Sequence, residues 1–321
     1  MTNVAAKHLA GPVPAGEMVW IPGGSFRMGS DRHYPEEAPA RNVEVSGLWI
    51  SRTTVTNAAF DAFVHATGYL TVAERPLDPT DFPGAPVENL VAGSMVFTQT
   101  PGPVDLTHLS QWWTWTPGAS WRHPTGPGSN LDGRAEHPVV HVSYEDAESY
   151  CEWTGFDLPT EAQWEYAARG GIGAGIYTWG DQPEESHERR ANYWHGDFPW
   201  RPDPGYGATT TTGSFPPNGY GLEDMAGNVW EWTADWYREG VTPDTDGCCV
   251  PRDPRGGTDQ ESLDAVQPQF RVPRKVIKGG SFLCADSYCM RYRPAARRPQ
   301  MIDTGMSHIG FRCTSRTRFG V

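Results

Sequence analysis

The sequence predicts an α+β fold: one loop-rich domain with little regular secondary structure. Three observations predict it. The 321 residues include 36 glycines and 29 prolines, which interrupt long helices and strands. Fourteen tryptophans supply the buried area that long helices would otherwise bring. Periodic stretches are short and widely spaced, with turn-rich sequence between them.

Residues 1–16 read as a flexible tail ahead of a single domain spanning 17–321. Met18-Val19-Trp20-Ile21-Pro22-Gly23-Gly24-Ser25-Phe26-Arg27-Met28 reads as strand, turn, strand around a Pro-Gly-Gly break, and 43–50 as a further strand. Thr56 caps a predicted helix over 57–67, with Phe60, Phe63 and Val64 on one face and Gly68 as its stop. Residues 75–136 show no sustained period despite Trp112, Trp113, Trp115 and Trp121. His137-Pro138-Val139-Val140-His141-Val142 is strand-like, and Ser143 with Asp146 caps the helix that follows, up to Gly155. Thr160 and Gln163 form a second capping box, for a helix that stops at Gly170-Gly171. Residues 178–260 are again turn-rich. Val276-Ile277-Lys278-Gly279-Gly280-Ser281-Phe282 echoes Trp20-Ile21-Pro22-Gly23-Gly24-Ser25-Phe26, which predicts a second strand-turn-strand unit.

The net charge of −13 argues against nucleic acid or an anionic membrane as the main partner. No run approaches a membrane span, and the first twenty residues lack the apolar core of a secretory signal. The expectation is a cytoplasmic monomer whose six cysteines are mostly reduced and form no disulfide framework.

The densest chemistry lies in Gly279-Gly280-Ser281-Phe282-Leu283-Cys284-Ala285-Asp286-Ser287-Tyr288-Cys289. On a strand, an offset of five puts the two thiols on opposite faces roughly 16 Å apart. On a helix it turns them roughly 140° apart. If they act together, 285–288 must bend, and Asp-Ser is turn chemistry. Converging thiolates suit Cu(I), Zn(II) or a redox disulfide; unrelated loop cysteines are the alternative. Arg291, Arg293, Arg297 and Arg298 follow closely and would favour thiolate, unless they pair with structural carboxylates.

His137 and His141 would lie on one strand face roughly 13 Å apart, too far to share an ion. Asp224, Asn228 and Glu231 around Gly227 offer the hard oxygens that calcium takes, or a hydrogen-bonded turn; Asn192 and Tyr193, with Asp203 and Tyr206, are a weaker version. Cys248-Cys249 reads as an exposed bystander pair, and Cys151 and Cys313 as buried core thiols.

These motifs, with 158–171, Gly227-Asn228-Val229-Trp230-Glu231-Trp232 and Gly310-Phe311-Arg312-Cys313, resemble in order the formylglycine-generating enzyme, or sulfatase-modifying factor, family. The resemblance spans about 17–316 and implies a fold of the C-type-lectin-like type. It implies an oxidase that converts the cysteine of a Cys-x-Pro-x-Arg segment in unfolded sulfatases to formylglycine with O2. Cys284 and Cys289 would bind Cu(I), with Ser281 and Tyr288 lining the site. Structural Ca2+ would be held by Asn192, Tyr193, Asp224, Gly227, Val229 and Glu231, with Asp203 and Tyr206 less secure. His308 stands where the family often has Asn. Ala168 and Pro294 replace a disulfide of secreted members, whereas Cys151 and Cys313 match a second paired set. The other classes in this fold are iron-dependent sulfoxide synthases, which need clustered histidines, and lectin-like binding modules without catalysis.

Overall fold

The computed structural model describes residues 18–80, 86–184, 188–240 and 250–317. The tail at 1–16 and the Cys248-Cys249 pair therefore lie outside the described residues. Among the described residues no helix is long and apolar enough to cross a membrane.

Among the described residues three α-helices form where caps and stops specify them. In α1 (Asn57–Thr67) the Thr56 side chain accepts from Ala59 N, and Gly68 ends the helix in the left-handed conformation. α2 (Tyr144–Thr154) and α3 (Glu161–Ala168) both begin with complete capping boxes, from Ser143 with Asp146 and from Thr160 with Gln163. All eight residues of α3 are buried, so it is a central helix packed on every side.

The strands are short. β1 (Met18–Ile21) and β2 (Gly24–Met28) do form either side of the Pro-Gly-Gly break, but join different sheets. The predicted strand over 43–50 is two strands, β3 (Arg41–Val45) and β4 (Leu48–Ser51), broken at Ser46-Gly47. There the Trp20 ring lies so near Gly47 that a Cβ would meet it at 2.7 Å, and Asp253 holds Ser46 by its N–H and hydroxyl. β2 pairs antiparallel with β3, while β1 pairs with β4.

β5 (Gly93–Phe97) and β6 (Trp113–Pro117) pair inside the stretch that showed no period. β7 (Gly196–Asp197) and β8 (Arg201–Pro202) make a two-residue ladder. β9 (Trp230–Trp236) is the centre of the largest sheet, between β10 (Arg274–Lys278) and the parallel β12 (Ile309–Gly310). β11 (Arg297–Met301) extends that sheet beyond β10, and β13 (Thr314–Ser315) closes the β1–β4 sheet.

Two strand predictions are overturned. Residues 137–142 make only a bridge, Thr56 to Pro138, and His141 sits at φ 60°, a backbone no strand contains. No strand forms at 281–282: β10 stops at Lys278 and the chain enters irregular turns, because Gly279 and Gly280 both take positive φ.

Buried charge knits these parts together. Glu165 of α3 receives Lys278 Nζ at 3.0 Å, Arg169 at 2.7 Å and Gly29 N at 2.8 Å. Burial pushes the Glu165 carboxyl up, but Lys278 and Arg169 outweigh it and hold it below the usual carboxylate range. Glu231 of β9 receives Arg312 through both oxygens, at 2.6 and 2.8 Å, and Trp164 Nε1 at 2.6 Å. Replacing Arg312 by Met strands a buried carboxylate, which costs about 3–5 kcal/mol. Urea unfolding of Arg312→Met should show that loss, and Arg312→Met/Glu231→Gln should recover part of it.

Candidate functional site

Cys284 and Cys289 come together because the chain between them turns, as their spacing requires. Ala285 O accepts from Tyr288 N at 2.9 Å and from Cys289 N at 2.6 Å, which folds 285–288 into a tight turn. The two sulfurs end 3.5 Å apart, well beyond a disulfide bond of about 2.05 Å. One soft ion could touch both. Asp286 and Ser287 at the tip are exposed, while the thiols lie just beneath, 2% and 6% accessible.

Neighbouring backbone fixes this loop. Phe282 N donates to Asn228 O, and Trp194 N donates to Cys284 O at 2.7 Å. Gly280 is required here: at φ 71° a Cβ would stand 2.8 Å from Arg291 O and Tyr292 N. Ser281 is fully buried at the base of the loop, and its hydroxyl accepts from Leu283 N.

The arginines that follow divide between roles. Arg293 pairs with buried Glu37, and Arg297 with Glu161, as structural ion pairs. Arg291 instead bridges Glu36, at 2.6 Å, and the Cys289 sulfur, at 3.8 Å. Cys289 is drawn down to about 6, first by its hydrogen bond from Cys284 and, against its burial, by the Arg291 charge. Cys284 moves the opposite way: burial and its neighbour's negative sulfur push it up. The pair therefore holds one thiolate and one thiol near neutral pH. Tyr288 stacks on Phe198 at 4.8 Å and meets Trp112 edge-on, forming an apolar wall beside Cys289.

The residues considered for calcium stand in different settings. The Glu231 carboxylate is spent on Arg312 and Trp164, so as a carboxylate ligand it does not fit. Asn192 and Gly227 do lie side by side, and a Cβ on Gly227 would stand 2.2 Å from Asn192 O. Asn192 Oδ1 is buried and has no partner among the described residues, an opening for a cation. Asp224 accepts from Gly213 N and is raised to about 6 by burial. Val229 is buried next to them. Asp203 and Tyr206 form a turn against His195, Asp203 N donating to His195 O. Among the described residues no three His, Cys, Asp or Glu side chains cluster as a metal site.

The histidines are separately engaged. His137 Nδ1 meets the Thr209 hydroxyl, and His141 is fully buried between Ser94 and the Pro124 carbonyl. His308 is buried 4.7 Å from the Trp113 ring, its Nδ1 unpartnered. Cys151 and Cys313 are buried with sulfurs 3.6 Å apart, and Ala168 and Pro294 are both buried. Sequence reasoning missed the role of Glu36, which steadies Arg291, and of Trp194, which anchors the loop. Neither stands near the thiols in sequence, and only the tertiary fold brings them there.

The sulfatase-modifying factor enzyme 1-like domain matches residues 5–317. The chain belongs to the sulfatase-modifying factor family. It is 52% identical over 303 residues to the formylglycine-generating enzyme of Mycobacterium tuberculosis, covering 93% of this chain and 97% of that one. To the formylglycine-generating enzyme of Thermomonospora curvata it is 43% identical over 309 residues, 93% of each. A mouse relative named inactive Cα-formylglycine-generating enzyme 2 is 36% identical over 312 residues, 93% of this chain and 85% of that one. Among solved structures, PvdO from Pseudomonas aeruginosa shares the fold, with a TM-score of 0.60 at 24% identity, over 92% of this chain and 93% of that one.

Burial lowers His141 to about 4, against 6.5 for a free imidazole. Between those values the unfolded chain binds a proton that the folded chain refuses, so stability falls as pH drops through this window, by about 3 kcal/mol in all. His141→Asn, which tolerates the positive φ, should flatten that slope when urea unfolding is compared at neutral and mildly acidic pH.

Proposed function

We propose that the protein is a copper-dependent oxidase that converts the cysteine of a Cys-x-Pro-x-Arg segment in an unfolded sulfatase to Cα-formylglycine, using dioxygen. The observation that carries this reading is the thiol pair, 3.5 Å apart beneath an exposed turn with Arg291 against Cys289. Relatives named formylglycine-generating enzymes, at 52% and 43% identity, support an oxidase acting on a peptidyl cysteine. Because one relative is named inactive, membership alone does not carry the activity.

Cys284 and Cys289 would hold copper(I), which soft thiolates suit and which would supply the redox chemistry with dioxygen. Arg291 keeps Cys289 as the thiolate a soft ion binds. Trp112, Phe198 and Tyr288 limit water beside the pair. The exposed Asp286-Ser287 tip leaves an approach for an extended peptide. At the substrate, a Cβ hydrogen is removed and the thioaldehyde is hydrolysed, its sulfur leaving as hydrogen sulfide. The separate engagement of His137 and His141 disfavours the iron sulfoxide synthase reading.

The test is to incubate the protein with a Cys-x-Pro-x-Arg peptide, dioxygen and either Cu(I) or Fe(II), following peptide mass. Aldehyde should form with copper alone and be lost in Cys284→Ser and in Cys289→Ser; turnover surviving in either variant eliminates the proposal. The unpartnered Asn192 Oδ1 supports a calcium ion held there with main-chain oxygens of Tyr193 and Gly227 and the Asp224 carboxylate. Dialysis against a chelator should then lower stability, and calcium at about a hundredfold excess over its Kd should restore about 2.7 kcal/mol.

A further inference from the structure

Six rings stand in one column beside the thiol loop, the first four stacked within 10° of parallel and the His195 ring tilted 39° off Tyr193. Trp179 lies flat on Tyr177, with centroids 4.9 Å apart and planes at 2°. Tyr177 faces Tyr292 at 5.9 Å and 10°, and Tyr292 faces Tyr193 at 4.0 Å and 10°. His195 continues the column 4.2 Å from Tyr193, Tyr206 follows at 4.1 Å, and the Arg189 guanidinium closes that end. Elsewhere the core prefers edge contacts, such as Phe60 with Trp121 at 76° and Trp112 with Phe198 at 82°. Isolated stacked pairs also occur, as Phe198 with Tyr288 at 8°, but here four rings from three separate chain segments stack in series.

The central rings of Tyr177, Tyr193 and Tyr292 are buried, while Trp179 is half-buried and reaches the surface. Trp and Tyr are the side chains that lose an electron most readily after thiolates. His195 and the Arg189 charge make the other end hostile to a positive hole, so Trp179 is the open terminus. The column meets the thiol loop twice. Tyr292 donates its hydroxyl hydrogen bond to Asp286, in the turn between the cysteines, and Trp194, next to Tyr193, holds the Cys284 carbonyl. Glu184 lies near the Tyr193 hydroxyl and, after burial, helps push it up. Tyr292 thus has a carboxylate already in contact to take a proton on oxidation, and Tyr193 has one nearby.

The proposed reaction needs electrons from outside. The peptidyl thiol, one dioxygen, two protons and two electrons give the peptidyl aldehyde, one hydrogen sulfide and one water: the carbon gives up two electrons and dioxygen takes four. With a peptide lying over the buried thiols, a reductant has no direct way in. We propose that Trp179, Tyr177, Tyr292 and Tyr193 form a one-electron relay from a thiol reductant at the surface to the thiol pocket. Two thiols become a disulfide, releasing two protons and two electrons, which travel one at a time; each ring is oxidised by its inner neighbour and reduced again by its outer one. This direction of flow rests on the function proposed above, whereas the relay itself is a property of the rings.

The first test uses the full, metal-free chain, mixed rapidly with excess hexachloroiridate(IV), frozen and read by electron paramagnetic resonance. The expected result is a tyrosyl radical whose signal is largely lost in Tyr292→Phe and in Tyr193→Phe, which keep the rings, and unchanged in the control Tyr237→Phe. Near-ultraviolet circular dichroism checks that the stack survives. A missing wild-type signal, or one of wild-type size in both relay variants, overturns the relay. The second test measures peptide oxidation by the copper-loaded protein at limiting dithiothreitol, where Trp179→Phe should slow turnover severalfold, and an unchanged rate removes Trp179 as the entry point. Failure of the wild type to make aldehyde would sink the proposed function, and the resonance experiment would still decide the relay.

Discussion

A domain with so little regular structure cannot rely on long backbone ladders for its shape, and buried ion pairs supply the missing constraint. Glu165 and Glu231, one on α3 and one on β9, each neutralise a fully buried cation, Lys278 and Arg312. Between them lies Trp164, whose indole N–H completes the Glu231 shell. Such pairs add little net stability over apolar packing, yet breaking one is expensive. Their effect here is to permit one arrangement of α3 against the central sheet and to forbid others, because any slip leaves a charge unpaired.

The thiol loop inherits its position from this knot. Lys278, held by Glu165, is the last residue of β10, and two left-handed glycines turn the chain directly after it. From there the loop hangs on Asn228 and Trp194, so neither cysteine belongs to a helix or strand. Irregular backbone is costly to bury unless its polar groups find partners, and here they find them in one another's loops. This is how a turn-rich sequence holds two sulfurs to within a few ångströms.

What could be read beforehand follows the same physics. All three helices were legible because Thr56, Ser143 and Thr160 announce their own starts, and glycines their ends. The bend at 285–288 was legible because neither helix nor strand could bring Cys284 to Cys289. β9 was missed although Trp230-Glu231-Trp232-Thr233-Ala234-Asp235-Trp236 alternates apolar and polar, because it sits in turn-rich sequence and its first four residues are buried on both faces, polar ones included. One of its acids, Glu231, was grouped with Asp224 and Asn228 as a hard-oxygen donor, and its carboxylate holds Arg312, 81 residues away. The strand expected at 137–142 failed for the converse reason: its residues are apolar and β-branched, but the left-handed backbone at His141 and its bonds to Ser94 and Pro124 outweigh that propensity.

The chain offers an internal control on what makes a thiol pair chemically competent. Cys151 and Cys313 stand 3.6 Å apart and Cys284 and Cys289 stand 3.5 Å apart, and all four are buried. Separation and burial therefore do not distinguish them. Charge does. Cys151 is pushed up by burial, by its Cys313 neighbour and by the carboxylates of Asp157 and Glu148, so it stays a protonated, apolar filler of the core. Cys289, bonded by Cys284 and faced by Arg291, is drawn to the thiolate. Arg291 in turn is fixed by Glu36, far away in sequence. The meeting of two sulfurs, together with one guanidinium placed by a distant carboxylate, marks this contact as a candidate reactive centre.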